Sequence, residues 1–117
     1  MTLIVVPDLP AVTPWTEFRR DWLISLRAQG KSPNTFRHYT GSLDRLAAWG
    51  EAQGVVDPAE VTRRHLDAFV AELREGWKPS TVSLTFRALQ QFFRWLLEEG
   101  EIDRSPMEGM RLVHGMA

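Results

Sequence analysis

The sequence predicts an all-α protein, folded as a compact bundle of four to five helices. Apolar residues recur at steps of three and four in four separate segments, which is the spacing of one face of an α-helix. No segment alternates apolar and polar residues for long enough to indicate a β-strand. The chain has 117 residues, of which 44% are apolar. It therefore has the size and composition of one domain with a single core.

The first helix is predicted to begin at Pro14 and to end before Gly30. Its apolar face contains Trp15, Phe18, Trp22, Leu23 and Leu26. A glycine just past the last apolar position is a common helix C-terminus, because glycine adopts the left-handed conformation without steric cost. Residues 1–13 are predicted to form a flexible N-terminal arm. They hold the short apolar run "LIVV", but prolines interrupt it, so it is neither a signal peptide nor a membrane span.

The second helix is predicted from "SPNTFRHYTGSLDRLAAW", with Ser32 as N-cap, Pro33 at the first helical position and an end by Gly54. The third follows Thr62 as N-cap, with Val61 and Leu66 placed as a hydrophobic staple. The fourth runs from Pro79 to Gly100. The stripes of the four helices predict one core of Phe18, Trp22, Phe36, Leu43, Leu46, Phe69, Leu73, Phe86, Leu89, Phe93 and Leu96. The domain is predicted to cover residues 14–110, and residues 111–117 form a mobile tail.

Composition excludes several classes of function. The formal net charge is −1, so the chain is not a polycation that coats nucleic acid, and any such contact needs a local patch. There is no cysteine, which excludes disulfides and thiolate metal sites and favours a cytoplasmic location. The three histidines show no ligand spacing, so no metal and no cofactor are expected. The five tryptophans are interpreted as core residues, and Tyr39 as a packing residue on the inner face of the second helix.

The openings of the second and fourth helices resemble each other. Each has a proline followed by small polar residues, with basic groups close by. The group comprises Lys31, Asn34, Thr35, Arg37 and His38 around one opening, and Lys78, Ser80, Thr81, Ser83 and Arg87 around the other. A helix N-terminus has unpaired N–H groups and the positive end of the dipole, which suits phosphate oxygens. Helix capping alone explains the same residue types, so both interpretations stay open.

The outer faces of these two helices carry few acids. Arg45 lies further along the second helix, and Leu84, Gln91 and Arg94 continue the outer face of the fourth. The acids are concentrated on the third helix and near the end of the chain. A face of Ser, Arg and Gln is typical of helices that read the DNA major groove, since Arg pairs with guanine and Gln with adenine. A solvated helix surface has the same composition, so this pattern does not decide between them.

An ordered set of segments carries a family resemblance. "GKSPNTFRHYTGSLDRLAAW", "VTRRHLDAFVAELRE" and "KPSTVSLTFRALQQFFRWLLEEGEIDRSP" together resemble the N-terminal, SAM-like core-binding domain of tyrosine recombinases, the phage integrase group. The resemblance implies a helical bundle whose second and fourth helices contact double-stranded DNA. Carried over by position, it assigns DNA contacts to Thr35, Arg37, His38, Ser80, Thr81, Ser83, Leu84 and Arg87. Lys78 departs from the family, where a serine is common.

The resemblance also implies what the chain does not do. The arginines, histidines and nucleophilic tyrosine of recombination chemistry have no matching positions, so this polypeptide is expected not to cut DNA. It is expected to be a DNA-binding module of a recombinase, monomeric alone and in contact with other recombinase subunits in a synaptic complex. The alternative is a helical protein-interaction domain without nucleic-acid binding, with Leu84, Trp49 or Trp77 in the contact.

Overall fold

The computed structural model describes residues 12–112, and the regular secondary structure within them is helical. Four α-helices follow in chain order: α1 (Pro14–Ala28), α2 (Pro33–Ala52), α3 (Arg63–Gly76) and α4 (Pro79–Glu98). A single turn of 3-10 helix, Pro58–Glu60, lies between α2 and α3. The predicted all-α bundle is confirmed, and its helices begin and end within a few residues of the positions expected from sequence.

Short polar side chains fix the starts of three helices. The Oγ atoms of Ser32 and Thr62 accept hydrogen bonds from N–H groups in the first turns of α2 and α3, as predicted. Thr13 does the same for α1 through a reciprocal pair with Thr16. Thr13, the last residue of the predicted N-terminal arm, is thus the N-cap of α1. The rest of that arm up to residue 11, including "LIVV", lies outside the described residues.

The helix C-termini depend on glycine. Gly30 and Gly100 have φ angles of 71° and 76°, a region that other residues rarely adopt. The residue after each glycine donates its backbone N–H to a carbonyl in the last turns of the helix. Lys31 donates to the carbonyl of Leu26 at 3.2 Å, and Glu101 donates to that of Leu96 at 2.9 Å. This pattern satisfies carbonyls that would otherwise lack partners at the helix end. It turns the chain sharply after α1 and α4.

The core is one contiguous cluster, and every residue of the predicted core either belongs to it or packs against it. Phe18 and Phe36 lie at its edge and are half-buried, whereas the others are buried. Trp22 joins three helices, since its ring stacks on Tyr39 of α2 at 5.4 Å between centroids and meets Phe92 of α4 edge-on at 5.1 Å. The interpretation of Tyr39 as a packing residue is therefore consistent with its contacts.

The segment after α4 folds back onto the bundle. Met107 and Met110 are buried, and Leu112 is half-buried against the core. The residues that pack on the bundle therefore include Leu112, two positions after the predicted domain boundary at residue 110. Sequence periodicity does not reveal this segment, because it is not helical and its apolar residues are spaced irregularly. The tail from residue 113 onward lies outside the described residues.

Two glycines inside α2 are expected to respond in opposite directions to alanine. A Cβ added to Gly41 would meet no atom within 4 Å, whereas one added to Gly50 would lie 3.0 Å from Cζ2 of Trp15. The Trp15 indole cannot shift freely, since it is buried and its Nε1 donates to the Val55 carbonyl at 2.9 Å. We expect Gly41→Ala to stabilise the fold by about 0.5–1 kcal/mol. We expect Gly50→Ala to destabilise it by about 1–2 kcal/mol.

Urea denaturation of the two variants beside the unchanged chain measures both effects. The substitutions are chemically identical and lie in the same helix, so each is the control for the other. Equal effects of the same sign would show that helix propensity dominates and that the Trp15 contact relaxes without cost.

Candidate nucleic-acid interface

α2 and α4 pack against each other in opposite directions. Tyr39 of α2 and Phe92 of α4 both contact Trp22, while further along α2 the Nη1 of Arg45 donates to Thr85 of α4. The two helices are therefore antiparallel, because residue numbers increase along α2 in the direction in which they decrease along α4. The two helix openings therefore lie at opposite ends of the pair. Each helix has 20 residues, which corresponds to a length of about 30 Å at 1.5 Å per residue. The polar groups at the openings thus form two separate clusters.

The opening of α2 combines capping with exposed polar groups. Ser32 accepts from the Thr35 N–H at 3.2 Å, and its hydroxyl donates to Thr35 Oγ1 at 3.0 Å, so half-buried Thr35 belongs to the cap. Asn34, Arg37 and His38 are exposed, and Arg37 donates to Asn34 Oδ1 at 3.0 Å. The capping interpretation accounts for Ser32 and Thr35, whereas the other three side chains remain directed to solvent.

The opening of α4 has no such cap. Lys78 occupies the N-cap position and makes no side-chain hydrogen bond to the first turn, as expected for lysine. Thr81 and Ser83 are half-buried. The exposed residues of the outer face recur over successive turns, and they are Ser80, Leu84, Arg87, Gln91 and Arg94. An exposed stripe therefore runs along most of α4, and it is polar except at Leu84.

Arg45 differs from the outward position expected for it. It is half-buried, its guanidinium lies 4.6 Å from the centroid of the Trp77 ring, and it donates to Thr85 Oγ1 at 3.4 Å. An arginine can bury its aliphatic stem and stack its planar group on an aromatic ring. Arg45 consequently joins α2 to α4 and to the α3–α4 link.

Lys31, Gln91 and Arg94 are brought together where α4 passes the start of α2. They line a polar cleft of about 250 Å³, together with Gln29, Tyr39 and Glu98 among others. Arg94 lies 3.8 Å from Glu98, with both side chains exposed, which makes the pair weak. The cleft thus carries two basic groups that solvent can reach.

The one carboxylate on the outer part of α2 is compensated by another helix. Arg19 of α1 donates from Nε and Nη2 to the two oxygens of Asp44, at 2.7 and 3.2 Å. This bidentate geometry offsets the negative charge of Asp44 locally. Sequence spacing gave no signal for the pair, because its residues are on different helices. The outer face of α2 is therefore less acidic than its sequence alone indicates.

Trp77 departs from the prediction that the tryptophans are core residues. It is 47% exposed, while Trp15 and Trp22 are buried and Trp49 and Trp95 are partly buried. Trp77 lines an open apolar groove with Trp49, Phe69 and Leu73, beside the ring contact of Arg45. Trp49 Nε1 also donates to Glu72 there. An exposed aromatic surface therefore adjoins the start of α4.

Other kinds of site receive no support from the described part of the chain. Residues 12–112 contain no cluster of three or more His, Cys, Asp or Glu placed to hold a metal ion. Over the same residues, no helix combines the length and the apolar character needed to cross a bilayer.

The sequence model of the phage integrase N-terminal SAM-like domain matches residues 18–101, which is most of the chain. The chain belongs to this family. The match spans nearly all of the bundle, including both helices of the candidate interface. The predicted family resemblance is confirmed for this SAM-like domain.

Curated relatives of this SAM-like domain are named tyrosine recombinases. The chain is 35% identical over 81 residues to tyrosine recombinase XerC of Xanthomonas campestris pv. campestris, covering 68% of the chain and 25% of the relative. It is 33% identical over 84 residues to XerC of Xylella fastidiosa, covering 71% and 29%. It is 31% identical over 90 residues to XerD of Corynebacterium glutamicum, covering 71% and 30%. The chain thus spans less than a third of each. No solved structure matches significantly.

Proposed function

We propose that this domain binds double-stranded DNA as the DNA-contacting module of a tyrosine recombinase. The supporting observation is the outer surface of α2 and α4, which we call the α2–α4 face. It presents exposed Arg37, His38, Arg87 and Arg94, and its one carboxylate on α2 before Glu51 is paired with Arg19. Phosphate oxygens need such a surface, and helices with Arg and Gln side chains fit the major groove.

The proposed contacts fall into two groups. The first group is proposed to contact phosphates, and it consists of Lys31, Asn34, Thr35, Arg37, Lys78, Ser80, Thr81 and Arg87. The second group is proposed to face base edges, and it consists of His38, Ser83, Leu84, Gln91 and Arg94. Arg45 is proposed to act indirectly, since its contacts with Trp77 and Thr85 hold α2 against α4.

Cleavage chemistry is proposed to lie outside this domain. The tyrosine of the described region is Tyr39, whose half-buried ring stacks on Trp22 and thus serves packing. The parent protein is proposed to be a tyrosine recombinase that works in the cytoplasm. Other recombinase subunits would be its partners in a synaptic complex, and the isolated domain would be monomeric.

The experiment is a titration of the ¹⁵N-labelled chain with duplex DNA, followed by amide shifts at several salt concentrations. We expect amides of residues 34–38 and 80–87 to shift, with a dissociation constant of about 10⁻⁴ to 10⁻⁶ M at physiological salt. Affinity should fall steeply as salt rises, because bound phosphates release counterions. In a longer recombinase a tethered second domain would raise the effective concentration of DNA, so weak binding is sufficient.

The second candidate is a protein-interaction domain, which the exposed Trp77 and its groove favour. It predicts association that is insensitive to salt, and no amide shift with DNA even at low ionic strength. Shifts confined to α3 on addition of DNA would likewise contradict the proposed face. The same titration therefore distinguishes the two functions.

A further inference from the structure

Leu84 is an apolar residue in the middle of a polar stripe. It is 44% exposed and does not belong to the core cluster. Ser80 lies one turn before it, Arg87 one turn after it and Gln91 two turns after it, and all three are exposed. Most of the buried stripe of α4, from Val82 to Leu96, lies on the other side of the helix, although buried Ala88 is one turn after Leu84. Because Leu84 is exposed and outside the core cluster, core packing does not require a leucine at this position.

We propose that Leu84 contacts the C5-methyl group of thymine in the major groove and so favours A·T pairs at the position that it reaches. This inference rests on the proposed DNA-binding function. Thymine is the base that presents a methyl group in that groove, where the other edge groups are donors and acceptors of hydrogen bonds. Contact with a methyl group removes apolar surface of both partners from water.

The flanking residues are consistent with an approach of this face to base edges. Arg87 and Gln91 have side chains that pair with guanine and adenine edges, and Ser80 suits a phosphate or base contact. The major groove is about 12 Å wide and admits an α-helix. A helix that places Arg87 and Gln91 at neighbouring base pairs would bring Leu84, on the same exposed surface, to the next edge along the groove.

The test removes the methyl group from the DNA and the side chain from the protein. The full chain and its Leu84→Ala variant are titrated at low salt with the alternating duplexes poly(dA-dT) and poly(dA-dU), which differ in the C5-methyl group. We expect the unchanged chain to bind poly(dA-dT) about twofold to fourfold more tightly than poly(dA-dU). The upper end of this range corresponds to the free energy of burying one methyl group. The variant should bind both duplexes equally.

Leu97→Ala is the matched control. Leu97 lies on the same helix and is 41% exposed, but it points away from the stripe of Ser80, Arg87 and Gln91. This variant should keep the full preference for poly(dA-dT). Far-ultraviolet circular dichroism confirms that all three proteins are folded.

Two results would overturn the inference while leaving the proposed function intact. These are equal binding of both duplexes by the unchanged chain, and a preference that persists in Leu84→Ala. If Leu84→Ala instead abolished a self-association of the chain without changing DNA affinity, Leu84 would be a protein contact. Absence of binding to either duplex at low salt would contradict the DNA-binding function itself, and this inference with it.

Discussion

Replacing Trp22 with alanine is expected to lower the free energy of unfolding by about 3–5 kcal/mol, the usual cost of truncating a large buried aromatic residue. Trp22 is 2% exposed, stacks on Tyr39 and meets Phe92 edge-on, so its loss leaves a cavity where α1, α2 and α4 meet. Small domains are stable by only about 5–15 kcal/mol. We therefore expect a large fall in the urea midpoint, or a chain that is partly unfolded in buffer.

Ile24→Ala is the control for this prediction. Ile24 lies two residues further along α1 and is 59% exposed. An exposed position of this kind should change stability by no more than about 0.5 kcal/mol. A Trp22→Ala variant as stable as Ile24→Ala would contradict the central position of Trp22 in the core.

The double substitution of Arg37 and Arg87 by alanine is expected to weaken duplex binding at low salt by on the order of 100-fold. Hydrogen bonds to charged groups contribute about 1.5–3 kcal/mol each, and two would be lost. The slope of log affinity against log salt should also become shallower by about 2, since two fewer counterions are released. Fluorescence anisotropy of a labelled duplex, measured across a range of salt concentrations, gives both quantities.

Arg20 and Arg64, replaced together by alanine, provide a control with the same change in net charge. Both are exposed and lie on α1 and α3, outside the α2–α4 face. This variant should keep nearly the full affinity and salt slope. If both double variants lose affinity equally, the interaction depends on overall charge, and the assignment of the face is wrong.

The helices and most of the core could be predicted from sequence because the signals are local. Ser32 and Thr62 were identified as N-caps from their position before an apolar stripe, and the structure shows both hydrogen bonds. Leu46, Phe93 and Leu96 recur with helical spacing and have no measurable exposure. A helix needs only neighbours along the chain to define its start, its end and its inner face.

The remaining features depend on contacts between distant residues. Spacing along one helix could not show that Arg19 pairs with Asp44, or that Arg45 turns toward Trp77 instead of solvent. Met107 and Met110 pack without any helical period. The opposite directions of α2 and α4, which separate their two openings, are set by tertiary packing and not by the sequence of either helix. The DNA-contact residues remain a prediction, because their role depends on a partner.

The contact of Arg45 with Thr85 also has a consequence for the rate of folding. These residues are 40 positions apart, and the chain between them includes all of α3. Pairing α2 with α4 thus closes a loop whose entropic cost is about 3 kcal/mol, apart from a constant. Helices α1 and α2, joined by a short link, close a much smaller loop. The slow step of folding should therefore be the arrival of α4 on a preformed α1–α2 hairpin.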